Sequence, residues 1–258
     1  MPFSILPDGV SIGTALVLVL VSFFTSALTA AFGIGGGVAM LGALAGTAPP
    51  SVIIAVHGVV QLGSNTGRAW LQRAHVLWPA TLRFSLGSVA GVALGAALFT
   101  ALPPRLLLGL IGMFILAMAW LPGSLIPKPR IPGLGRSGLV IGGAFSTFLT
   151  MLVGATGPFV QALLLPLNPT RHQLVATHAM CMTIQHTLKV LAFGLLGVAF
   201  LDWLPLLTLM VVFGFLGTIL GSRLLDSMSE TAFKIVLKWT LTLVALDLLR
   251  RAANITFG

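Results

Sequence analysis

Acidic residues are scarce in this chain: there are five among 258, Asp8, Asp202, Asp226, Glu230 and Asp247, each in a loop or near the end of an apolar segment. No carboxylate therefore stands at membrane depth, where a carrier of cations would need one to pair with its cargo. Charged residues of both signs make up only 7%, against roughly a quarter in an ordinary globular domain whose surface must be solvated. Most of the surface must face lipid. The single cysteine, Cys181, lies inside an apolar segment; it excludes an intramolecular disulfide and reads as a packing residue. Enzyme signatures are missing as well. There is no HExxH, no GxSxG and no helical pair of carboxylates. GLGRSG at Gly133–Gly138 spells a dinucleotide-binding pattern, but it follows no strand and sits in a proline-rich stretch. His178 and Cys181 have no acid to orient them, so they do not read as a base and its nucleophile. The expectation is a protein without enzymatic activity, cofactor or bound metal.

What the chain has is apolar length. Hydrophobic residues make up 57% of it, and the mean hydropathy is +1.07. Fourteen Lys and Arg leave a net charge of +9, which in a soluble protein would point to nucleic acid. Here the bases are mostly dispersed near the ends of apolar segments, where anionic headgroups and the positive-inside bias place them. The expected surroundings are a lipid bilayer, and no nucleic acid is expected as a partner. Eight stretches, approximately 10–32, 52–72, 77–101, 105–122, 137–154, 172–200, 204–224 and 232–250, approach or exceed the about 20 residues that a helix needs to cross. The first reads as a retained helix, since no base precedes it and it is too long for the core of a signal peptide. Two further apolar pieces, Ile34–Ala48 and Pro158–Leu167, are too short to span comfortably. Each follows a glycine cluster. That is the pattern of a broken or re-entrant helix, tolerated at membrane depth only where it is buried in protein or lines a cavity.

The polar connection PGSLIPKPRIPGLGR, residues 122–136, divides the chain into a first transmembrane repeat, 1–121, and a second, 137–258. Transporter folds are commonly built from such repeats. An offset of 121 pairs His57 with His178, Gly33 with Gly154, Gly36 with Gly157, Asn65 with His186 and Arg68 with Lys189 without a gap. Further on, an offset of 126 pairs Pro79 with Pro205, Gly91 with Gly217 and Gly95 with Gly221, which places a five-residue loop insertion near Gly197–Trp203. The predicted fold is an all-α polytopic membrane protein with four long helices and one short broken or re-entrant helix in each repeat.

The second helix of each repeat carries a polar stripe. His57, Gln61, Ser64, Asn65 and Arg68 fall within an arc of about 100° on a helix, and the matching positions hold His178, Met182, Gln185, His186 and Lys189. Such a stripe either hydrogen-bonds between helices or faces a hydrated cavity near the midplane. Lys189, with apolar sequence on its C-terminal side, is the strongest candidate, because an ionisable group inside a span needs water, a partner or a ligand. Arg68, close to Arg73 and His75, could instead mark a helix end. The glycines of FGIGGG (Gly33, Gly35, Gly36, Gly37) and of VGATGP (Gly154, Gly157, then Pro158) supply helix N-termini, whose free N–H groups and positive dipole end attract anions, and Thr156 between the latter two glycines is a further candidate to bind the substrate. Pro158 is placed to open its short helix. Gly91xxxGly95 and Gly217xxxGly221 read as small-residue packing faces. The expected partner is a small anionic substrate, and a homodimer is left open.

The glycine segment FGIGGG after the first span, the second glycine motif VGATGP opening the second half, and about eight spans in two related halves resemble the sulfite exporter TauE/SafE family. The likeness is most specific in Ala31–Arg68 and Leu152–Lys189, although VGATGP stands where a fuller glycine cluster is usual. The resemblance implies transport of sulfite, of sulfonates such as sulfoacetate, or of small organic acids across a bacterial inner membrane. It gives a multi-pass location. Bases in the loops fit both eight crossings with the N-terminus inside and ten crossings in two inverted sets with the N-terminus outside. The second is preferred, because Asp8 and the lack of bases near the N-terminus suit the outside and inverted repeats suit alternating access. The anion would then be held by the glycine-loop N–H groups, Asn65, Gln61, Gln185 and Lys189. With no carboxylate at depth, proton coupling would pass through His57, His178 and His186, through the substrate, or through both. A passive anion channel and a membrane-embedded subunit without transport activity are the alternatives.

Overall fold

In a computed structural model, residues 6–32, 35–45, 47–120, 135–223 and 230–254 are described, and they form helices joined by short turns, with no strand among them. In chain order these are α1 (Ile12–Phe32), α2 (Gly36–Leu44), α3 (Pro50–Leu71), α4 (Trp78–Ala101), α5 (Pro104–Trp120), α6 (Gly135–Val153), α7 (Gly157–Leu164), α8 (Arg171–Leu195), α9 (Leu204–Arg223) and α10 (Glu230–Asn254). Gly33, Asp226 and residues 122–134 of the proline-rich connection lie outside the described residues.

Local chemistry explains the boundaries. Prolines stand in the first turn of α3, α4 and α7, where the missing N–H costs no hydrogen bond. Thr170 and Gln173 close a capping box on α8, satisfying two orphan donors reciprocally. α8 stops at Leu195, short of the expected 200, because Gly197 turns the chain at φ +84° before a short 3-10 helix, Phe200–Trp203. The five-residue insertion expected near Gly197–Trp203 would fall on this turn. α7 begins at Gly157, one residue before the expected Pro158.

The two short helices have nine and eight residues, about 13 Å each at 1.5 Å per residue, less than half of an about 30 Å hydrocarbon core. Neither crosses alone. Among the described residues three helical segments, Ile12–Ala31, Trp78–Ala101 and Phe200–Gly221, are both long and apolar enough to do so. α3 and α8 have the length, 22 and 25 residues, but carry polar residues through their middles.

Those polar residues point inward. His57, Ser64, Asn65, Arg68, Gln185, His186 and Lys189 are all buried, whereas Leu86 is 70% exposed and Leu16, Phe24 and Leu94 are also exposed. A soluble protein places its residues the other way; this inversion fits a lipid solvent and a polar interior. α3 and α8 pack together at the centre, with α1 against α9, α4 against α6, and α5 against α10 around them. Glycines let the outer pairs approach closely. A Cβ on Gly91 would strike the Ala144 carbonyl of α6, and one on Gly217 the Phe23 carbonyl of α1, so these positions are helix-packing contacts of the small-residue type. In the third pair, Trp120 donates its indole N–H to Thr242 at 2.8 Å while Lys238 sits over its ring.

Candidate functional site

The centre of the molecule lies where two chains of helix are interrupted. α1 ends and α2 begins around Gly35, which adopts φ +99°; α6 ends and α7 begins around Gly154, at φ +91°. Side chains with a Cβ rarely adopt such angles. Each break exposes a helix C-terminus, with roughly half a negative charge, beside a helix N-terminus with roughly half a positive one.

Two buried bases occupy the C-terminal ends. Arg68, 3% exposed, donates through Nη1 to the Thr29 carbonyl of α1 at 3.2 Å and through Nη2 to Oδ1 of Asn65 at 2.6 Å. Asn65 is held in turn by donating to the Gln61 carbonyl at 2.7 Å. Lys189, 0% exposed, donates to the Gly154 carbonyl just past α6 at 3.0 Å and lies 3.4 Å from Nδ1 of His57. Among the described residues the ion pairs are those of Asp247 with Arg250 and Arg251 at the exposed end of α10. A helix terminus offsets only about half a charge, so both bases keep an unbalanced positive charge in the interior.

The histidines are tied to the short helices. His57 lies 2.8 Å through Nε2 from the Gly37 carbonyl, and His178 lies 3.0 Å through Nε2 from the Gly157 carbonyl. A carbonyl only accepts, so each Nε2 carries the hydrogen and each Nδ1 is left with a lone pair. His186 is fully buried, stands edge-on to His57 at 5.9 Å between ring centroids, and meets no protein partner at either ring nitrogen.

These groups surround a cavity of about 30 Å³, room for about two water molecules. Of the candidates from sequence, Gly35, Gly37, His57, Gln61, Asn65, Arg68, Gly157, His178 and His186 line it. Gly36, Thr156, Gln185 and Lys189 are not among the lining residues. Gly36 packs on Thr25 and Thr29 of α1. Gln185 is engaged elsewhere, accepting from Ser146 at 2.9 Å and donating to Thr156 at 2.8 Å. Lys189 stands behind His57. Arg68, three residues from the last residue of α3, is the base that reaches the cavity.

Thr29 on α1 also lines the cavity and was not anticipated. Its signal was present: Ser22, Thr25, Ser26 and Thr29 recur at helical spacing and are all buried. Among the described residues no group of histidine, cysteine and carboxylate could hold a metal ion, and no carboxylate lines the cavity.

No curated protein and no solved structure matches the chain. The family model described as Sulfite exporter TauE/SafE matches residues 18–248, nearly the whole length. With helices apolar and long enough to cross a bilayer around a buried basic interior, the chain belongs to the sulfite exporter TauE/SafE family of membrane transporters.

Proposed function

We propose that the protein is a secondary transporter of a small anion, sulfite or an organosulfonate such as sulfoacetate, working by alternating access in the bacterial inner membrane. The observation that carries this reading is Arg68: a guanidinium 3% exposed, lining a cavity without a carboxylate. A buried charge left unpaired is costly, and an anion in the cavity supplies the missing partner. First-turn N–H groups of α2 and α7 add donors without side chains. Gln61, His178 and His186 complete the wall. Lys189, Asn65, Gln185, Thr156 and Gly36 support it by holding residues that line it or the helices beside it. The small volume favours a compact ligand.

Alternating access is supported by the way the helices pair. Exchanging the first five helices with the last five turns α1–α9 into α6–α4 and leaves α3–α8 and α5–α10 as they are. Two inverted repeats, 1–121 and 137–258, would pack in this manner, and rocking one against the other would open the central cavity to each side in turn.

The test is flux in proteoliposomes containing the purified protein. Sulfite should exchange across the membrane and accumulate against its gradient when a pH gradient is imposed, and Arg68→Gln should abolish both. Flux that only follows the sulfite gradient would identify a passive channel. No flux of sulfite, sulfoacetate or any other small anion would leave the subunit reading.

A further inference from the structure

Two side chains on the cavity present polar atoms with no protein partner. One is Arg68, at Nε; the other is His186, unpartnered at both ring nitrogens and fully buried. A neutral imidazole carries one N–H and one lone pair. The lone pair needs a donor. A fully ionised oxyanion has only acceptor oxygens, so it would leave that nitrogen unsatisfied and press lone pair against lone pair. His178 adds to the mismatch, because its Nε2 hydrogen goes to Gly157 and leaves Nδ1 as an acceptor on a ring that lines the cavity. Charge counts the same way. Arg68 is the one Lys or Arg among the lining residues, so a single negative charge meets a cation at contact; a second would touch none, because Lys189 stands behind His57.

Resting on the transporter reading and narrowing it, we propose that the cavity takes the singly protonated form of an oxyanion, hydrogensulfite in the case of sulfite. His186 accepts the ligand's O–H, and Arg68 donates Nε–H to an ionised oxygen. The proton then travels on the substrate, and the protein needs no carboxylate at depth to carry it. The titratable and charged groups around His186 are His57 and Arg68 from α3 and His178 and Lys189 from its own helix.

The experiment measures binding to the purified, detergent-solubilised protein with three probes: sulfite, chlorate and sulfate. Chlorate is pyramidal like sulfite, singly charged at every pH and without an O–H; sulfate is a dianion near neutrality. Above the second dissociation of sulfurous acid, apparent sulfite affinity should fall about tenfold per pH unit, as the competent fraction does, while chlorate stays flat and binds more weakly than hydrogensulfite. Sulfate should bind weakest. His186→Phe, which keeps the edge-on contact with His57 but has no acceptor, should lower hydrogensulfite affinity roughly tenfold without weakening chlorate, whose oxygens no longer face a lone pair. His186→Asn, which keeps an acceptor, should retain it and decides the matter if the Phe variant does not fold. Sulfite affinity constant or rising with pH, sulfite and chlorate shifting together, sulfate binding as tightly as sulfite, or both variants losing both anions equally would overturn the proposal while leaving the anion cavity standing. Binding of none of the three would overturn both.

Discussion

Lys189 and His57 meet across the two halves of the chain, Nζ to Nδ1 at 3.4 Å, and the same ammonium donates to the Gly154 carbonyl at 3.0 Å. His57 in turn reaches Gly37. A continuous line of hydrogen bonds thus joins the start of α2 to the break before α7. Lys189 stands behind His57 and is not among the residues that line the cavity.

Replacing Lys189 with Met should lower anion flux while changing anion affinity by less than Arg68→Gln does. Gly58→Ala should do the same, since a Cβ there would come 2.9 Å from Cε of Lys189 and displace it. Flux and equilibrium binding, measured on the same preparations, separate the two effects; equal affinity losses in the Lys189 and Arg68 variants would refute the division of labour.

Arg68→Gln should weaken anion binding roughly tenfold to hundredfold, the worth of a charge-assisted hydrogen bond of about 1.5–3 kcal/mol. Without ligand, thermal stability should hold or rise, because a buried charge lacking an ionic partner is removed. Calorimetric titration and melting of the ligand-free protein check the two halves of this expectation.

Gly217→Val and Gly91→Val should each cost about 1–3 kcal/mol or more of stability. Their added atoms meet backbone carbonyls of Phe23 and Ala144, and a backbone inside a helix cannot step aside. Gly13→Ala, whose Cβ would find Ser11 Oγ at 3.8 Å, is the control and should not destabilise. Melting temperatures in detergent decide it.

Cys181, 0% exposed and packed with Met182, Val160 and Phe84, should resist maleimide in the folded protein and react fully after denaturation. Mass spectrometry gives the labelled fraction. Rapid labelling of the native protein would contradict its burial.

Much of this was legible in one dimension. Apolar runs with few charges announce helices in lipid, because no other solvent tolerates that surface. Glycine clusters before pieces too short to span announce breaks, and α2 and α7 lie where the breaks were expected, though trimmed to the residues between their turns. The histidine at the head of each polar stripe could be matched between halves from spacing alone, and the structure ties both to the short helices.

Side-chain destinations were not legible. From sequence, Lys189 outranked Arg68, since it lay deeper in its segment. Depth along a helix does not say which way a long side chain runs, and Lys189 runs to the Gly154 carbonyl while Arg68 lines the cavity. Gln185 shares a stripe with His178 and His186, yet its amide is taken up by Ser146 and Thr156 from α6 and the turn after it. Thr29 enters the cavity from a helix that composition marked only as apolar. The sequence by itself determined a polytopic helical membrane protein with two glycine breaks and two basic stripes, because solvent and period act on neighbouring residues. Only the tertiary structure decided which base faces the cavity, because hydrogen-bond partners there come from residues as far as 132 positions apart.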